Sequence, residues 1–222
     1  MNSVIVCLDL ALANTGIAVV EIRPLEKDRI LHVNTLHTDK GSGKVADDEW
    51  RRTEELAKEL NEIIAKWNPV HIALECPTGG SKSATAARSM AVARGAACAV
   101  ISGKALKYTL VTPFEAKKAA TGDPKAEKDQ VKLAVKAEFP EFTDWVKGKR
   151  GNIVEGLNEH VYDALSVYMA FRLNSNYKEL KGVGYTEQRT QLKNRPAKRK
   201  HNFLPLPESK GGRGTARGKG ND

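Results

Sequence analysis

The 222-residue chain can hold one domain with a substantial core plus a tail, and it carries a net charge of +9. No apolar run approaches the ~20 residues needed to cross a bilayer, and the first residues lack a basic-then-apolar secretory pattern, so the sequence excludes a membrane role and predicts a cytoplasmic protein, or one of the host cytoplasm if it is viral. The three cysteines, Cys7, Cys76 and Cys98, are odd in number, sit in apolar surroundings and form no Cys-x-x-Cys pair. They are expected to be free buried thiols, which excludes a disulfide framework and a zinc knuckle.

Val4 to Asp9 is a run of branched, apolar residues that reads as a buried strand ending on a carboxylate. Thr15-Gly16 and the β-rich run Ile17 to Ile22 follow as the second strand of a hairpin, and Ile30 to Thr38 as a third strand. Lys40-Gly41-Ser42-Gly43 is a loop, and without a Ser or Thr after Lys44 it is no phosphate-binding loop. From Asp47 to Trp67 apolar residues recur at helical spacing, with Trp50 and Trp67 expected in the core. Val70 to Leu74 is a buried strand that again ends on a carboxylate, Glu75.

An alanine-rich helix spans roughly Ser83 to Ser102, its small side chains suited to close approach by the sheet or by a second subunit. Tyr108 to Thr112 is the last strand. Pro113 opens a helix, Thr121 to Pro124 break it, and a basic helix runs from about Lys125 to Glu138. A loop with a helical turn near Trp145 leads to a final amphipathic helix, Asn158 to Leu173, with His160 and Asp163 three apart on one face. Residues 1–174 therefore form the expected domain and 175–222 a basic, largely disordered tail. From Lys193 onward nine basic residues stand against Glu208 and Asp222, so most of the net charge lies there. Such a tail suits a polyanion.

The element order βββαβαβαα predicts a ribonuclease H-like fold, a mixed five-stranded sheet flanked by helices. In that sheet the first and fourth strands are neighbours and the last helix packs beside them, so Asp9, Glu75, His160 and Asp163 converge. Hard oxygen ligands of this kind suit Mg²⁺, with Mn²⁺ able to substitute. Two such ions ~3.5 to 4 Å apart are the usual arrangement for in-line phosphodiester hydrolysis. Glu159 and Glu155 are rival ligands to His160 at the same helix end.

With these residues in hand the sequence resembles the RuvC-type Holliday junction resolvases, phage-type members among them. The resemblance runs from about Val4 to Phe171. Asp9 with Thr15-Gly16 is similar to the first motif, and Ile72-Ala73-Leu74-Glu75 with Ala93-Arg94-Gly95 to the second. Val111-Thr112-Pro113, Lys117, Gly122, Ala126-Glu127-Lys128 and Gln130-Val131 resemble the third, and His160-Val161-Tyr162-Asp163-Ala164-Leu165 the fourth.

The resemblance implies a homodimeric, Mg²⁺-dependent endonuclease that resolves four-way DNA junctions by paired nicks and accepts other branched DNA, without a nucleotide cofactor. It carries catalytic metal-ligand roles onto Asp9, Glu75, His160 and Asp163, and DNA-backbone contacts onto Lys117 and Lys128. Lys82, Arg88 and Lys118, and Lys198, Arg199 and Lys200 in the tail, are further candidate phosphate contacts. The sequence departs from the family at Leu10-Ala11, where Pro-Gly is common, and at Thr78, where some members carry a base-stacking aromatic. Two other readings remain. One is a non-catalytic branched-DNA binding protein, against which the intact acidic set argues. The other is an actin-like or sugar-kinase-type ATP-binding protein, which needs two such domains where this length fits one.

Overall fold

The computed structural model describes residues 2–76, 83–140 and 155–182, with side chains in the last segment described from Asn158 onward. Strand β1 (Ser3–Asp9) pairs antiparallel with β2 (Asn14–Ile22), in register from Ser3 opposite Ile22 to Asp9 opposite Gly16. The intervening turn is closed by Thr15, whose buried hydroxyl donates to the Ala11 carbonyl at 2.6 Å and accepts the Ala11 N–H at 3.3 Å. Strand β3 (Arg29–His37) pairs on the outer side of β2. On the other side of β1 lie β4 (His71–Glu75) and β5 (Lys107–Val111), both parallel to it, giving the order β3-β2-β1-β4-β5. This is the expected mixed five-stranded sheet flanked by helices.

Side-chain parity assigns each strand residue to a face. Val6, Leu8, Ile17, Val19, Ile72 and Leu74 pack under α1 (Val45–Trp67) and α2 (Ala84–Gly103). Ile5, Cys7, Ala18, Val20, Ala73 and Val111 face the opposite way. They are covered by α3 (Pro113–Thr121), α4 (Lys128–Glu138), α5 (Glu155–Phe171) and α6 (Ser175–Lys181). Helix α5 is the central cover: Val161, Ala164, Leu165 and Val167 are fully buried, and Tyr168 and Phe171 are among the largest buried side chains. Among the described residues no helix is long and apolar enough to cross a membrane.

The structure corrects several expectations. Trp50 is 77% exposed, because it stands about a quarter-turn off the stripe of Leu56, Leu60, Ile63 and Ile64 that α1 buries. Cys98 is exposed rather than buried, since α2 buries Ala93, Ala97 and Ile101 and the next residue after Ala97 points away. The basic helix begins at Lys128 rather than Lys125, where Glu127 and Gln130 form a reciprocal cap.

Ordered chain also continues past Asn174, where the tail was expected to start. Asn174 caps α6 by accepting the Asn176 N–H at 2.9 Å, and Gly182 ends the helix in a left-handed conformation. Tyr177 and Lys181 of α6 reach Asp28 at 2.6 and 2.8 Å, and Tyr168 joins them at 2.5 Å. Burial alone would raise the Asp28 carboxyl. The hydrogen bonds from Lys181, Tyr168, Tyr177 and the Arg23 N–H outweigh it and hold the group below its ordinary range. This buried cluster ties α6 to the β2–β3 connection. The turn near Trp145, Thr78 and the basic tail lie outside the described residues.

Candidate metal centre

Asp9 and Glu75 end two adjacent parallel strands, and each follows by two a residue (Cys7, Ala73) on the α5 face, so both carboxylates point beneath α5. Their approach to the helix depends on Gly16, directly opposite Asp9 in the hairpin. A Cβ there would lie 1.9 Å from the His160 carbonyl oxygen, so only glycine lets the α5 backbone settle onto β2. As a result His160 Nδ1 and Asp9 Oδ2 are 3.0 Å apart. One ligand atom from each of Asp9, His160 and Asp163 falls within 4.8 Å of the others. Glu75 stands outside that trio but close enough for its charge to couple to Asp9 and Asp163.

The electrostatics are those of crowded carboxylates. Burial, reinforced by the charges of Asp9 and Asp163 and opposed by Lys117, pushes Glu75 up to about 8. Burial and Asp9 likewise push Asp163 up to about 6, against the pull of Lys128 and His160. The hydrogen bond to Asp9 raises His160 above its ordinary value although burial works the other way. Carboxyl groups that resist ionising beside one another, with an imidazole among them, fit a divalent cation that would relieve their repulsion. Three hard oxygen donors and one nitrogen are compatible with Mg²⁺ or Mn²⁺.

The predicted cations divide into two groups. Lys117 on α3 reaches Glu75 with its charge, and Lys128 at the start of α4 reaches both Asp9 and Asp163 while ion-pairing with Glu159. Glu159, the rival ligand, is thus engaged with Lys128, and the Glu155 side chain lies outside the described residues. Lys118 is exposed and lines a separate cleft with Ala170 and Leu173, toward the far end of α5. Arg88 on α2 is held at 2.9 Å by Glu49 on α1. Lys82, Lys198, Arg199 and Lys200 lie outside the described residues. The spacing-critical role of Gly16 went unread in the sequence, though its place next to Thr15 six residues after Asp9 was the available signal.

Comparison with known proteins gives the family. The sequence profile described as "Crossover junction endodeoxyribonuclease RuvC" matches residues 5–140. The chain belongs to the RuvC family. RuvC proteins of two strains of Prochlorococcus marinus are 30% and 31% identical over 131 residues, 59% of this chain and 78% of theirs. Among solved structures, RuvC of Thermus thermophilus in complex with a Holliday junction substrate superposes with a TM-score of 0.61 at 18% identity, covering 81% of this chain and 96% of that one. The yeast mitochondrial Holliday junction resolvase superposes with a TM-score of 0.56 at 11% identity, covering 85% and 83%. The RuvC profile stops before α5, so it is packing, not the profile match, that brings His160 and Asp163 to the strand carboxylates.

Two outcomes follow from this geometry. Gly16→Ala should force α5 off β2 and separate His160 from Asp9, a loss read as weakened Mn²⁺ binding in calorimetry beyond any fall in Tm. The second concerns pH. Glu75 and Asp163 keep their protons to higher pH in the folded state than in the unfolded one, so metal-free stability contributed by Glu75 is full below about pH 4.5 and is lost as pH rises through about 8. Added Mg²⁺ should therefore raise Tm more at pH 8 than at pH 5.5. An equal increment at both, measured by scanning calorimetry, would place the cation elsewhere.

Proposed function

We propose that the chain is a metal-dependent endonuclease that resolves four-way DNA junctions and cuts other branched DNA, with Asp9, Glu75, His160 and Asp163 as its ligand set. The observation that carries this reading is the convergence of Asp9, His160 and Asp163 within 4.8 Å, beside Glu75, in a chain of the RuvC family. Two divalent ions at such a set would supply a water activated for in-line attack on a phosphodiester and stabilisation for the departing 3′ oxygen. The chain's own residues do the rest. Lys117 and Lys128 offer point charges on either side of the carboxylates, suited to backbone phosphates, which fix position without reading sequence. Lys128 would exchange Glu159 for a phosphate on binding, so the ion pair keeps its ammonium near the site when DNA is absent.

We further propose that the working form is a homodimer, since paired nicks need two sites and the chain supplies one. The face formed by α2 and the edge strand β5 supports this. Tyr108 and Leu110 are 57% and 54% exposed there, beside a cleft lined by Arg94, Gly95 and Cys98. Sedimentation should show twice the chain mass for the free protein. A monomer both free and on a junction would contradict paired incision.

Asp9→Asn, Glu75→Gln and Asp163→Asn should each lower Mg²⁺-dependent nicking of a synthetic four-way junction by at least about 100-fold while junction binding changes little, because charge is lost at the reacting phosphate and the lysines remain. Wild-type rates in any one variant would remove that residue from the site. Wild-type nicking in EDTA would remove the metal.

A further inference from the structure

Phe114 is the second residue of α3 and is 59% exposed. A single exposed apolar side chain needs no explanation in itself. Its position does. Strand β5 runs parallel to β4, with Val111 opposite Glu75, so it ends on the edge where the carboxylates end, and α3 starts two residues later. Helical side chains lean toward the helix N-terminus, which aims the ring at that edge. Lys117 lies one turn further on, on the same face, and its charge already reaches Glu75.

The backbone beneath the ring is well fixed. Pro113 occupies the first turn, the Thr112 N–H donates to Glu115 Oε2 at 2.8 Å, and the Glu115 N–H donates to Thr112 Oγ1 at 3.2 Å. Among the described residues no other ring and no cationic side chain stacks on Phe114.

We infer that Phe114 is a stacking platform for a DNA base freed from its neighbours at the branch point, with Lys117 holding the adjoining phosphate. The inference rests on the nuclease reading and adds to it the source of branch selectivity. A π face with no hydrogen-bonding group cannot tell one base from another, and it accepts any. Inside a duplex each base is already stacked on both sides and offers the ring nothing. At a branch point a base can expose one face. A ring beside a phosphate-binding ammonium therefore favours branched over linear DNA without reading sequence.

The test uses full-length protein, a four-way junction carrying 5-iodouracil at the branch point, and a linear duplex of the same sequence. Photocrosslinking of the junction should map to the peptide containing Phe114. Stacking of one base on one ring corresponds to roughly 5- to 150-fold in affinity, so Phe114→Ala should weaken junction binding by about that factor and leave duplex binding within twofold. Phe114→Trp should restore junction binding. Trp50→Ala, which removes the exposed ring of α1, should change neither. Equal losses on junction and duplex, a junction affinity unchanged in Phe114→Ala, a crosslink mapping elsewhere, or dissociation of the dimer by Phe114→Ala would each overturn the inference, the last by making the ring an interface residue. These outcomes are read with wild-type protein that nicks the junction. Wild-type protein that neither binds nor nicks it would instead overturn the nuclease reading itself.

Discussion

Everything at the candidate centre depends on the close approach of two backbones. Helix α5 carries His160 and Asp163, the sheet carries Asp9 and Glu75, and the gap between them is set where the His160 carbonyl lies against Gly16. Had β2 an alanine there, the helix would have to lift by more than an ångström, and a 3.0 Å bond between His160 and Asp9 would not survive that. The large buried face of α5, with Leu165, Tyr168 and Phe171, provides the hydrophobic drive that presses the helix down. Packing energy spent along the whole helix thus holds His160 and Asp163, in its first half and at its middle, against Asp9, with Glu75 alongside.

That gathering has an electrostatic cost. Half-buried carboxylates repel one another and lose solvation, which is why Glu75 and Asp163 are driven toward their protonated forms. Lys117 and Lys128 offset part of the repulsion from outside, and they are also the side chains best placed for a polyanion. In the proposed nuclease the same charges would serve both the free protein and its complex with DNA. A divalent cation would complete the compensation from inside. The two ends of the domain contrast in this respect. Asp28 is also buried, but the hydrogen bonds of Lys181, Tyr168 and Tyr177 satisfy it, so it is a structural anchor for α6 and not a site.

Much of this was legible in the residues. Strand β1 could be read from Val4 to Asp9 because a central strand buried on both faces leaves a continuous apolar run, and the helix carrying His160 and Asp163 from its amphipathic spacing. The approach of His160 and Asp163 to Asp9, with Glu75 outside the trio but beside it, could be expected from topology, since β4 pairs beside β1. Less visible was anything that depends on a neighbour distant in sequence. Trp50 reads as core by hydrophobicity, yet among the described residues no element covers its side of α1. The engagement of Arg88 by Glu49 and of Lys128 by Glu159 needs the packing of separate helices. Ser175 to Lys181 looked like tail because its composition is polar, while its helix depends on one buried ring and one buried carboxylate, Tyr177 and Asp28. The contact at Gly16 joins residues 144 positions apart in the sequence, so the Thr15-Gly16 pair marks the position while its partner, the His160 carbonyl, is set by the packing of α5.

In the proposed nuclease the helix-borne and strand-borne ligands form one cation site. Crystals of the full chain grown with Mn²⁺ and measured for anomalous scattering test it most directly. Mn²⁺ peaks are expected between Asp9, Glu75, His160 and Asp163, present in wild-type protein and lost in Asp9→Asn. Peaks confined to other acidic groups, in protein that still nicks junctions in Mn²⁺, would contradict it.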